Sequence, residues 1–185
     1  MKSETLKIPG LMLLEPRIHK DERGYFFESF NSRDMKNILG EDCHFVQDNH
    51  SCSHQGVLRG LHYQLAPKAQ GKLVRVIRGK IFDVAVDIRK DSPYFGQWES
   101  VVLSAENKKQ LWIPPGFAHG FLSLDDDTEV LYKTTEYYAP ELERTLLWND
   151  PTIGIEWPSL PKLQISEKDA KGQHFVIPLQ RHPAT

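Results

Sequence analysis

The stretch from Gly56 to Ile88, GVLRGLHYQLAPKAQGKLVRVIRGKIFDVAVDI, constrains this chain most. It reads as a strand, a crowded turn, and two further strands on either side of Arg78-Gly79-Lys80. That tripeptide reads as a hairpin turn, with glycine taking the positive φ such turns require. Lys72, Val74, Val76, Phe82, Val84, Val86 and Ile88 share one parity, so a regular pleat sends them to one face. Leu73 and Ile77 make the second face partly apolar, so the region reads as buried on both sides. An ammonium group aimed into such an interior is costly unless it has an anionic partner or a chemical task. His62 lies just upstream, in LRGLHYQ. A base and a cation buried close together point to a proton-transfer pocket.

The flanking sequence repeats the same short-strand grammar. Residues 6–15 read as a first strand punctuated by Gly10 and Pro16. HKDERGYFFESFN reads as a polar turn running into an aromatic strand. Residues 32–41 read as a helix, with Ser32 as its cap and Gly40 as its stop. Residues 45–53 and 98–104 read as strands, and 111–124 as two strands about a proline-glycine corner. Residues 128–138 form a strand with Val130, Tyr132 and Thr134 on one face, and 166–172 hold one helical turn from Ser166 to Gly172. Many short strands with turn signals and little helix predict a mainly β, antiparallel barrel or sandwich. A length of 185 residues suits one domain spanning 1–185.

Charge and cysteine content narrow the function classes. A net charge of -2 leaves no basic excess to attract a nucleic acid polymer. Cys43 and Cys52 are too few for a disulfide framework and lack metal-site spacing. The opening residues MKSETLKIPGLMLLEP have no long apolar core, and no segment has the length needed to cross a bilayer. The expectation is a cytoplasmic protein without a membrane partner.

PPGFAHG, with His119, and the segment running from Gly56 to His62 together resemble the two short motifs of the cupin superfamily, small β-barrels of jelly-roll type. Metal-binding cupins carry His-x-His and a glutamate in the first motif. Here that motif reads His62-Tyr63-Gln64, so the resemblance implies no metal. A longer series then narrows it: DERGYFFESFN, FVQDNHS, GVLRGLHYQ, QGKLVRV, DVAVDIR, SAENKKQLWIPPGFAHGF, YKTTEYYAPE and WNDPTIGIEWP. In this order they are similar to the dTDP-4-dehydrorhamnose 3,5-epimerase family, over about residues 8 to 170.

That resemblance implies a cupin-type jelly roll acting on a dTDP-sugar. The reaction would invert C3 and C5 of dTDP-4-dehydro-6-deoxy-D-glucose, giving dTDP-4-dehydro-L-rhamnose for dTDP-rhamnose biosynthesis. Both carbons flank the C4 ketone, so their protons are comparatively acidic and no cofactor is needed. His62 is the implied base, oriented by Asp169. Lys72 is the implied partner of the enolate oxygen, and Tyr132 the acid on the opposite face. Arg23, Arg59 and Lys168 match binding positions suited to a diphosphate. Glu28, Gln47, Asn49 and Glu143 match further binding positions, with Asp48 between two of them, where it need offer only backbone. His119 would touch the sugar or the neighbourhood of the base, and Tyr138 would stack on thymine, with Tyr137 as its competitor. The family also implies a homodimer whose N-terminal segment reaches the partner's pocket, so that Arg23 and Glu28 serve the neighbouring site.

Arg59 and His62 have opposite parity, yet both are wanted in one pocket. A bulge or twist break at Gly60–Leu61 is therefore expected, because a bulge shifts the pleat by one residue. Three rival readings stand beside the double epimerase: an epimerase acting only at C3, a metal-dependent cupin, and a non-catalytic sugar-nucleotide-binding module.

Overall fold

The structure, a computed structural model, describes residues 1–39 and 43–177. Two sheets face one another. The first holds, in spatial order, β1 (Lys2–Thr5), β2 (Met12–Glu15), β10 (Gln110–Ile113), β7 (Lys72–Arg78), β12 (Thr128–Thr134) and β5 (Gln47–Ser53). The second holds β13 (Glu143–Thr145), β6 (Val57–Gln64), β11 (Phe117–Ser123), β8 (Lys80–Asp87) and β9 (Trp98–Ser104). A short β14 (Gln164–Ile165) pairs in parallel with the start of β6; the other strand pairings are antiparallel. β3 (His19–Asp21) and β4 (Gly24–Phe26) form a separate exposed hairpin. Helix α1 (Ser32–Leu39) and the one-turn α2 (Glu167–Ala170) are the helices among the described residues, and the architecture is the expected mainly β jelly roll.

The core lies between the sheets. Val74, Val76, Leu111, Ile113 and Val130 of the first sheet pack on Ile81, Ala85, Leu103, Phe117 and Phe121 of the second. Each is an alternate residue of its strand, as a pleat with one inward face demands. A second cluster covers the outer face of the second sheet, where Leu61, Val84, Val86 and Ala118 meet Leu146, Ile153 and Phe175. Met35 of α1 joins Leu14, Leu73 and Trp112 on the outer face of the first sheet.

Several expectations change. The hairpin across Arg78-Gly79-Lys80 is instead a passage between sheets, since β7 pairs with β10 and β12 while β8 pairs with β9 and β11. Gly79, with φ 71°, still makes the turn. Because the chain crosses to the facing sheet, the inward parity changes from even in β7 to odd in β8. Val84 and Val86 therefore face outward, and Asp83 shares the inward side with Ile81 and Ala85. The single strand expected at 6–15 is replaced by β1 and β2, joined by a turn in which Leu6 N–H donates to Leu11 O and Gly10 takes φ 104°. β12 ends at Thr134, before Tyr138. The helix stop expected at Gly40 lies outside the described residues.

The bulge is present. Across β6 and β11, His62 faces His119 and Arg59 faces Phe121, so three steps on one strand answer two on the other. The extra residue falls at Gly60–Leu61. Gly60 has φ 124°, and a Cβ there would sit 2.5 Å from Gly120 Cα and 2.7 Å from the His119 carbonyl oxygen. Only glycine fits that close approach of β6 to β11.

Candidate active site

Strands from both sheets build one cleft. A cavity of about 470 Å³ is lined by Arg59, His62, Lys72, His119, Tyr132 and Asp169, among others. A neighbouring hollow of about 290 Å³ shares His62, Lys72 and Tyr132, and adds Gln47, Asn49, Tyr138 and Glu143. The imidazole, ammonium and phenol expected to act together thus stand on the common wall of two adjoining spaces.

His62 is brought inward by the bulge, and its Nε2 lies 2.6 Å from Asp169 Oδ1. Asp169 comes from α2, over a hundred positions away. Ser166 caps that helix by accepting from Asp169 N–H at 3.1 Å, and the Gly60 N–H donates to Asp169 Oδ2 at 3.2 Å. One carboxylate therefore holds both the histidine ring and the bulge. Burial alone would raise its pKa, but the His62 hydrogen bond and charge, the Gly60 N–H and the Ser166 hydroxyl bring it below the usual carboxylate value.

Lys72 begins β7 and is 7% exposed. Its Nζ donates to the His62 carbonyl at 3.1 Å. Burial pulls its pKa from 10.5 to about 8, against the opposing pull of Asp83 and Glu143. It is thus still an ammonium ion at neutral pH and passes to the amine around pH 8. Tyr132 shares the inward face of β12 with Val130 and Thr134, and burial raises its pKa. His119 is buried with Nε2 2.6 Å from Asp83 Oδ1, and burial lowers its pKa. Among the described residues, no group of three or more His, Cys, Asp or Glu is placed to hold a metal ion.

The rim is a polar network. β5 alternates, so Gln47 and Asn49 face the cleft while Asp48 is exposed. Gln47 Nε2 donates to Asn49 Oδ1 at 2.9 Å, and Gln47 Oε1 accepts from the Tyr138 N–H at 3.0 Å. The Tyr138 hydroxyl donates to Glu143 Oε2 at 2.9 Å, and Lys168 Nζ donates to the same oxygen at 2.5 Å. Arg59 is held by Ser53 Oγ at 3.1 Å and the Cys52 carbonyl at 3.2 Å.

Three expected binding residues are not gathered here. The pleat turns Asp48 to the other face, where its carboxylate meets Lys133 Nζ at 2.9 Å, so its side chain does not line either space. Arg23 sits at the turn of the β3–β4 hairpin, 90% exposed and paired with Asp21 at 2.6 Å. Glu28 follows that hairpin and is also exposed, within 3.5 Å of Asn31 Nδ2. Conversely, Asp83 was not singled out from the sequence. An aspartate inside the apolar run KIFDVAVD carries the same signal as Lys72, a charge on a buried strand.

Fold and site together define a β jelly roll built for acid–base chemistry on a bound small molecule. The family model for dTDP-4-dehydrorhamnose 3,5-epimerase matches residues 5–176. The dTDP-4-dehydrorhamnose 3,5-epimerase of Pseudomonas aeruginosa is 56% identical over 176 residues, covering 95% of this chain and 97% of its own. The dTDP-6-deoxy-D-glucose-3,5-epimerase of Legionella pneumophila, solved with dTDP-4-keto-L-rhamnose, superposes with TM-score 0.91 at 50% identity, over 94% of this chain and 92% of that one. A 3'-monoepimerase from Streptomyces bikiniensis, solved with dTDP-quinovose, gives TM-score 0.88 at 37% identity, covering 92% and 86%. The chain belongs to the dTDP-4-dehydrorhamnose 3,5-epimerase family.

Proposed function

We propose that this chain inverts C3 and then C5, or C5 and then C3, of dTDP-4-dehydro-6-deoxy-D-glucose, with His62, Lys72 and Tyr132 doing the chemistry. His62 removes the proton α to the ketone, and Asp169 stabilises the imidazolium that forms. Lys72 faces the C4 oxygen, where negative charge develops as the C–H bond breaks. Tyr132 returns a proton from the other side of the ring, which inverts the centre. One observation carries this reading: base, cation and phenol line a single cleft, with a buried carboxylate 2.6 Å from the base. Arg59 and Lys168 hold the diphosphate, Tyr138 stacks on the base, and Gln47, Asn49 and Glu143 bond the nucleotide and sugar. His119 lies against the sugar.

The molecule acts as a homodimer in the cytoplasm, a single unit over residues 1–185. Its β3–β4 hairpin leaves Tyr25 60% and Phe26 68% exposed, and its charged turn carries Arg23. A hairpin so placed serves its partner's cleft, taking Arg23 and Glu28 with it. No helix among the described residues is long and apolar enough to cross a membrane. The reaction needs no cofactor, because the substrate's own ketone acidifies both protons.

Incubation with the 4-keto sugar nucleotide in heavy water tests the assignment. Deuterium at both C3 and C5, with inversion, is the expected result. Label at C3 alone would move the chain to the monoepimerase reading, and no exchange would move it to a binding module.

A further inference from the structure

Two buried charges in the protein are incompletely matched. Lys72 is buried, and among the described residues its side chain makes a single hydrogen bond, to the His62 carbonyl. Asp83 is fully buried: Oδ1 accepts from His119, and among the described residues no donor reaches Oδ2. A buried cation and a buried carboxylate, each with unused bonding capacity, are costly separately and complementary together. They come from consecutive strands that lie in facing sheets, so both reach the same interior. A run of contacts joins them: Lys72 bonds the His62 carbonyl, His62 pairs across the strands with His119, and His119 bonds Asp83.

We propose that Asp83 is a positioning residue for the epimerisation: it is the buried counter-charge that keeps Lys72 an ammonium ion in the cleft, and it fixes His119 beside that cation. The inference rests on the reading that Lys72 faces the ketone oxygen. The charges around Lys72 favour Asp83 for this task. Asp169 is committed to His62, and Glu143 is already bonded by Lys168 and Tyr138. Arg59 and Lys168 line the same cleft and are cations, so they oppose a third positive charge. Burial holds His119 towards its neutral form and Tyr132 towards its phenol, so neither supplies a competing charge. His54 and Cys52 stand exposed at the rim. Asp83 is also the foremost charge pulling the Lys72 pKa upward, ahead of Glu143.

Asp83→Asn tests this with little change of shape, because its amide oxygen can still accept from His119 while the charge is gone. Losing a nearby opposite charge lowers the Lys72 pKa by about one unit or more, from about 8 to about 7. The ammonium fraction then falls about 5-fold at pH 8 and scarcely at all at pH 6. The expected result is a kcat/KM near wild type at pH 6 and about 5-fold lower at pH 8. NMR titration of the Lys72 side chain should show the same displacement without substrate. Wild-type pH behaviour for Lys72 in the variant, or an equal loss of activity at every pH, overturns the proposal. If the variant does not fold, the wild-type protein still decides: the Asp83 carboxyl carbon should show a step at the pH where Lys72 titrates, and a flat response overturns the coupling. Exchange at C3 and C5 by the wild type tests the underlying reading, and the titrations need no turnover, so the two fail separately.

Discussion

Replacing Lys72 with methionine should make the protein more stable and inactive at once. The side chain keeps its length and apolar stem but loses the ammonium. In the unfolded chain that group titrates at 10.5 and in the fold at about 8, so holding it charged at neutral pH costs about 3 kcal/mol. The figure already contains the attraction of Asp83 and Glu143. The variant also loses the hydrogen bond to the His62 carbonyl, worth about 1 kcal/mol. A net gain of about 2 kcal/mol is expected, or roughly 4–8 °C in Tm for a chain of this size. The sign is checked by pH. Below 8 both states of the wild type hold the proton, and the full penalty is present. Between 8 and 10.5 the unfolded chain binds more protons than the fold, so wild-type stability climbs towards that of the variant. Urea titrations of both proteins from pH 6 to 10.5 should therefore show a gap that closes as pH rises. A variant less stable than wild type at pH 7, a gap independent of pH, or retained deuterium exchange at C3 and C5 would refute the reasoning.

Other perturbations separate the remaining parts. Tyr132→Phe should keep His62-dependent deuterium uptake, because the base can return what it removes, while inversion falls about 100-fold or more; product stereochemistry by NMR decides, and inversion at the wild-type rate would remove the tyrosine from the reaction. Asp169→Asn should lower stability, since its carboxyl titrates below 3.8 in the fold. That contribution is complete above pH 3.8 and disappears as pH falls through the lower folded value, so the midpoint difference from wild type should narrow on acidification; a constant difference down to pH 2 would contradict the assignment. Gly60→Ala should cost about 3 kcal/mol or more, from the positive φ and the contact with Gly120, and denaturant midpoints would show it.

The pairing of Lys72 with His62 was legible because burial and charge conflict in the sequence, whereas most other site residues were implied only by the family resemblance. Lys72 on an apolar strand and the opposed parities of Arg59 and His62 each demanded a structural answer, and the structure supplies a buried ammonium and a bulge. Ser166 was recognisable as a cap because its hydroxyl has a local task, though the turn closes at Lys171 rather than Gly172. What failed was long-range. Parity reports which residues share a face of one strand, but not which sheet the next strand joins. The crossing at Gly79 therefore reversed the inward side of β8 and hid Asp83 among outward valines. The pairing of His62 with Asp169 has no local signature either, since it depends on β14 bringing a distant helix to the start of β6. The same pleat that aims Asn49 inward aims the Asp48 side chain away, which leaves Asp48 only its backbone to offer the cleft.

The placement of Asp169 has a consequence for biogenesis. The barrel strands that carry imidazole, amine and phenol are all made before α2 leaves the ribosome, and synthesis proceeds from the N-terminus. A nascent chain that ends short of Ser166 has His62 without the Asp169 carboxylate that it bonds in the fold. On the roles proposed for His62 and Asp169, catalytic competence is therefore conferred by a late clasp outside both main sheets. Loosening that clasp, by a proteolytic nick or by a ligand that competes for it, would disarm the molecule while leaving the strands that hold its sugar cleft unbroken.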